Sequence, residues 1–181
     1  MKKILILLAL TLTLSCCNKD DNPSSSNDQL PPETQTGANT VGCLVNGKVF
    51  LPHQEGINPA VNCFYQLYNG EYFFTMNFAD LRGTGVKAVV IQTSRINLEE
   101  GQIYLLNKNI IEDGDFSGGG QYYISSILSN NFYTNTIKTG ELKITRLDIS
   151  NSIISGTFWF DAVNTAGETV EIRSGRFDWN Y

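Results

Sequence analysis

The chain is poor in positive charge, in histidine and in long apolar runs. Of its 181 residues, 13 are Lys or Arg and 18 are Asp or Glu, a formal net charge of −5. With no basic block it offers no footprint for nucleic acid, whose phosphates call for clustered Lys and Arg. For the same reason an anionic bilayer has little to attract. His53 is the only histidine, so a Ser-His-Asp hydrolase would have to use it, and no Gly-x-Ser-x-Gly elbow accompanies it. The longest apolar run, Ile4 to Leu14, falls well short of the roughly 20 residues of a membrane span. Beyond residue 40 no helical stripe of about 10 residues can be traced.

What is present begins with an address. Lys2 and Lys3 precede the apolar run, which ends at Ser15 and Cys16, the layout of a secretory signal peptide. Leu12-Thr13-Leu14-Ser15-Cys16 resembles the bacterial lipobox. That resemblance implies removal of residues 1–15 and lipidation of Cys16, since the small Ser15 fits the position before the anchor better than Cys16 would before Cys17. Lys19, Asp20 and Asp21 resemble the surface-export signal of Bacteroidota lipoproteins, which implies display on the outer face of the outer membrane. Without residues 1–15, which hold Lys2 and Lys3 and no acid, 11 cations remain against 18 acids, a net −7. Residues 16–40 then read as the lipidated cysteine and a disordered tether, because Pro23, Ser24-Ser25-Ser26 and Pro31-Pro32 leave little to bury. As a flexible coil the stretch from Asn18 to Thr40 would span about 26 Å.

Residues 41–181 read as one all-β domain. Asn46-Gly47 and Asn69-Gly70 separate apolar strands at 41–45, 48–51, 61–68 and 71–79, and Asn-Gly is a strong hairpin signal. Tyr72, Phe74, Met76 and Phe78 alternate with Glu71, Thr75 and Asn77, as in a half-buried antiparallel strand. Further strands are expected at 86–93, 102–106, 122–128, 132–137, 141–149, 153–163, 169–173 and 176–179, with a bulge at Thr145-Arg146 where the alternation slips. So many short strands predict an antiparallel β-sandwich, with an up-and-down calycin-like barrel as the alternative.

Gly42-Cys43-Leu44-Val45-Asn46-Gly47, Gly140 to Thr145, Ser155-Gly156-Thr157-Phe158-Trp159-Phe160 and Gly175-Arg176-Phe177-Asp178 together resemble an uncharacterised Bacteroidota lipoprotein family. The resemblance implies class and location and brings no activity with it.

Cys43 and Cys63 are the only cysteines after residue 40. A secretory route makes a bridge between them the expectation, with two buried thiols as the alternative. No zinc spacing includes them. Glu112 to Gly118 begins like a calcium loop, with oxygens at Asp113, Asp115 and Ser117, but Ile124 stands where the closing Glu belongs. Neither a metal nor another cofactor is expected. Trp159 falls on the polar face of its strand. Pairing Ala162 with Val170 and Phe160 with Ile172 puts Trp159 opposite Arg173, and pairing Leu142 with Phe160 puts Lys143 on its other side. Trp159, Lys143 and Arg173 form the candidate binding face, expected first as a cation–π stripe that stabilises the sheet. The functional expectation is a lipid-anchored, non-enzymatic binding or structural module with a protein or glycan ligand. Carbohydrate or small-molecule binding is the alternative, and an enzyme the third reading.

Overall fold

Asn-Gly turns fold the chain back on itself twice in its first half. The computed structural model describes residues 29–83, 85–114, 116–124 and 130–181. Cys16, Lys19, Asp20 and Asp21 lie outside the described residues. Both turns have positive φ at each central position, 48° and 77° at Asn46-Gly47 and 51° and 82° at Asn69-Gly70, the geometry of a type I′ hairpin. The first joins β1 (Thr40–Val45) to β2 (Lys48–Phe50) and the second joins β3 (Val61–Tyr68) to β4 (Glu71–Asp80). Among the described residues there follow β5 (Lys87–Ser94), β6 (Ile103–Leu106), β7 (Gly118–Tyr123) and β8 (Phe132–Tyr133). Three long strands close the chain: β9 (Gly140–Asp148), β10 (Ile153–Val163) and β11 (Thr169–Asn180).

The strands form one antiparallel sheet in the order β2-β1-β11-β10-β8-β7-β5-β4-β3, with β9 beside β10 and β6 beside β9. The all-β antiparallel class follows the sequence. The two layers of the expected sandwich are two halves of one curled sheet, so the packing is that of a sandwich and the continuity that of a half-barrel. Ring contacts across the interior show the closure. Phe74 of β4 stacks on Phe177 of β11 at 5.7 Å, and Phe78 of β4 meets Phe158 of β10 edge-on at 6.2 Å. The two-residue β8 joins the halves, pairing Tyr133 with Val163 of β10 on one side and with Gln121 of β7 on the other. Along β10 buried residues alternate with more exposed ones from Gly156 to Val163, as a sheet with one buried face requires. At the rim the His53 backbone bridges to Asp80 of β4, covering part of an otherwise open edge.

Three elements differ from the sequence expectation, and the simplest is the strand expected at 132–137, which is cut to the two residues of β8. The strand expected at 122–128 starts earlier, with β7 running from Gly118 through Gly119 and Gly120 to Tyr123, while residues 125–128 lie outside the described residues. A Cβ at Gly118 would meet the Leu105 carbonyl, one at Gly119 the Lys108 carbonyl, and one at Gly120 would stand 2.7 Å from the Phe160 ring. Glycine in this strand marks close approach, by backbone at two positions and by an aromatic ring at the third. The separate strands expected at 169–173 and 176–179 are one strand, β11. It is bulged at Arg173-Ser174, where pairing jumps from Phe160↔Ile172 to Phe158↔Gly175 and Ser174 takes a φ of 51°. The bulge in β9 falls where expected, with Thr145 left over between Ser155↔Arg146 and Gly156↔Ile144.

Candidate functional site

Trp159 is the first candidate, and the sheet surrounds it with polar groups. The β10–β11 register runs as expected through Ala162↔Val170, Asp161↔Glu171 and Phe160↔Ile172, and the Arg173 guanidinium lies over the indole, 5.5 Å from the ring centroid. Arg173 is itself fixed. It donates to the carbonyls of Phe160 and Ile172 at 3.1 and 2.9 Å and pairs with Asp161 at 2.6 Å. The β9 side corrects the expected register. Leu142 lies opposite Phe158, not Phe160, Lys143 lies opposite Thr157, and Trp159 faces Glu141. The indole N–H donates to Glu141 Oε2 at 3.2 Å. Phe160 takes Gly140 as its partner, where any Cβ would collide with the Trp159 carbonyl and with Cα and Cβ of Phe160. The slip is by two residues, so inward residues stay inward. Lys143 still lines the same shallow depression as Trp159. Trp159 remains 37% exposed, with Arg173 over its ring and Glu141 on its N–H.

Cys43 and Cys63 are separate thiols, which corrects the expected bridge. Their strands are not neighbours: β1 pairs with β2 and β11, and β3 with β4. Each thiol sits among apolar groups, and burial pushes the Cys63 thiol up to about 12 and Cys43 higher. They behave as small hydrophobes. His53 donates from Nδ1 to the Leu51 carbonyl at 3.1 Å. Asp80, beside its backbone, is lowered to about 2, chiefly by the hydrogen bond from Arg82. In the loop that resembles a calcium site, Asp113 accepts from the Asn109 amide at 2.6 Å and so closes a turn. Asp115 lies outside the described residues. Among the described residues no group of three or more His, Cys, Asp or Glu is placed to hold a metal.

Two features were not found by sequence reasoning. The first is Asp178, 1% exposed. Its carboxylate accepts from the Ser155 hydroxyl at 2.7 Å, the Thr34 hydroxyl at 2.7 Å, and the amides of Thr36, Gly37 and Ala38 at 2.9, 2.8 and 3.1 Å. Burial alone would raise its pKa. The donors from Thr34, Ser155, Thr36 and Ala38 outweigh burial and hold the carboxyl well below the usual range. Residues 34–38, which the composition assigns to the tether, are thereby clasped to the domain. Nearby, Arg176 reaches Glu33 at 3.7 Å.

The second feature is a groove of about 300 Å³ on the outer face of β3, β4 and β5. Phe64, Tyr68 and Phe73 supply one wall and Phe116, from the β6–β7 connection, another. Gln66, Thr75, Gln92 and Ser94 supply polar groups between them. Tyr68 meets Phe73 edge-on at 6.4 Å and is 63% exposed. Gln92 donates from Nε2 to the Thr75 hydroxyl at 3.2 Å, which orients the amide and leaves its carbonyl oxygen available. Among the described residues no Asp, Glu, His, Lys, Arg or Cys lines the groove. The signal was in the sequence. Phe64 and Phe73 stand in the outward phase of their strands, where polar residues are the rule for a half-buried sheet.

The sequence profile of a domain of unknown function, DUF6252, matches residues 81–178, more than half of the chain, and the chain belongs to that family. The match ends at Asp178 and takes in β5 to β10 and most of β11. It includes Gln92, Ser94 and Phe116 of the groove but not the β3–β4 wall. No curated protein and no solved structure matches the chain.

Proposed function

We propose that this member of the DUF6252 family is a non-enzymatic binding module, held by a lipid on Cys16 at the outer face of a bacterial outer membrane. The groove carries the binding reading. It is open, flanked by aromatic rings and lined by amides and hydroxyls, and among the described residues no ionisable acid or base other than the Tyr68 phenol lines it. Concave, partly apolar sites with a few convergent polar groups are the usual form of ligand sites. The lipidated location rests on Leu12 to Cys16 and the surface display on Lys19, Asp20 and Asp21.

The test is metabolic labelling with tagged palmitate, followed by protease shaving of whole cells. Wild type and Cys17→Ser should take up label, Cys16→Ser should not, and shaving should release the domain. Replacing Lys19, Asp20 and Asp21 with Ala should move the domain inside, out of reach of protease. Label retained by Cys16→Ser would overturn the anchor assignment. Surface exposure unchanged by the triple replacement would overturn the export signal.

A further inference from the structure

We infer that the groove over β3, β4 and β5 takes a neutral carbohydrate; the inference rests on the binding-module reading above and gives that site its ligand class. Two properties of the lining select the chemistry. An ionic ligand would shed water without meeting a counter-charge from the lining, which among the described residues holds no charged side chain. A purely apolar ligand would strip water from Gln66, Thr75, Gln92 and Ser94 and return no hydrogen bonds. A sugar ring satisfies both conditions. Its axial C–H groups are weakly positive and suit the negative face of an aromatic ring, here the exposed ring of Tyr68 and its edge-on neighbour Phe73. Its hydroxyls, both donors and acceptors, match side-chain amides, which also carry both. Gln92 is already oriented by its bond to Thr75, so little ordering remains to be done on binding. The groove is open along the sheet surface and about 300 Å³ in volume, the low end for a small-molecule site. This suits a few units of a longer chain passing across it more than an engulfed monosaccharide.

Affinity electrophoresis of the full chain in gels containing single polysaccharides provides the test. Neutral probes would be a glucan, a mannan, a xylan and an arabinan; acidic probes would be polygalacturonate and heparin. At least one neutral polysaccharide should retard the wild type. Tyr68→Ala and Gln66→Ala, both at exposed positions, should each weaken that retardation about tenfold while thermal unfolding is unchanged. Trp159→Thr should bind as wild type does. Retardation by acidic probes only, retardation by none, or retardation insensitive to both groove variants would each overturn the carbohydrate assignment. A photo-crosslinker placed at position 68 separates the two levels of the proposal. A protein captured there in whole cells would overturn the sugar while the binding module stands, and no adduct together with no retardation would overturn both.

Discussion

Ser155 and Asp178 are partners across β10 and β11, and the Ser155 hydroxyl donates to Asp178 Oδ1 at 2.7 Å in the interior. The other oxygen of the same carboxylate receives the Thr34 hydroxyl and the amides of Thr36 and Ala38. One buried charge thus joins the last strand, its neighbour and the segment before β1.

Asp178→Asn should be strongly destabilising. The amide places an NH₂ group where an oxygen now accepts, so at least one buried donor faces another. Hydrogen bonds to a charged group contribute about 1.5–3 kcal/mol each, and a loss of roughly 2–4 kcal/mol in urea unfolding is expected. The amides of Thr36, Gly37 and Ala38 should lose protection from hydrogen exchange first.

The same carboxylate makes stability fall in acid. Its folded pKa is depressed, so its contribution is complete above the unfolded value of about 3.9 and drains away as pH drops below that toward the folded value. Thermal melts from pH 6 to pH 2 should show the decline, and it should be shallower in Asp178→Asn.

Phe160 dictates a glycine on β7: a Cβ at Gly120 would stand 2.7 Å from its ring. Gly120→Ala should cost about 1–3 kcal/mol through overpacking. The smaller Phe160→Leu should relieve part of that cost in the double variant, so that the two changes are non-additive. Additive losses would mean that the two side chains do not compete for one space.

Much of this was legible in the sequence. Period-two alternation located β3 and β10 to the residue and set Phe158, Phe160 and Ala162 as inward on β10. It could not set an even shift, since moving β9 by two residues keeps Leu142 and Ile144 inward. In the fold Gly140, which has no side chain, takes the place opposite Phe160, where a Cβ would meet the Trp159 carbonyl, a three-dimensional fact. β7 was hidden because glycine carries no pattern, and the clasped segment because Thr34, Thr36 and Gly37 look like tether until Asp178 is placed beside them. The groove was half legible, in the outward phase of Phe64 and Phe73.

Trp159→Thr should lower stability by about 0.5–1 kcal/mol, the value of an exposed cation–π contact. Urea unfolding of the variant beside wild type checks it. A loss above about 2 kcal/mol would mean that the indole is more deeply built into the sheet than its partners Arg173 and Glu141 suggest.

The two free thiols predict a chemical signature. Iodoacetamide should label neither Cys43 nor Cys63 quickly in the native state, because burial raises both thiols. Both should label in urea without reductant. A single linked peptide in its place would show that the two residues are joined in the protein as isolated.

Thr34 and Asp178 are 144 positions apart in the chain, and β1 finds its long partner only in β11. A ribosome delivers the two ends of that contact many seconds apart, at about 5–20 residues per second. Until Asp178 emerges, the hydrogen bonds that clasp residues 34–38 to it cannot form. A segment made early is therefore fastened late, and β11 is the strand that closes it down.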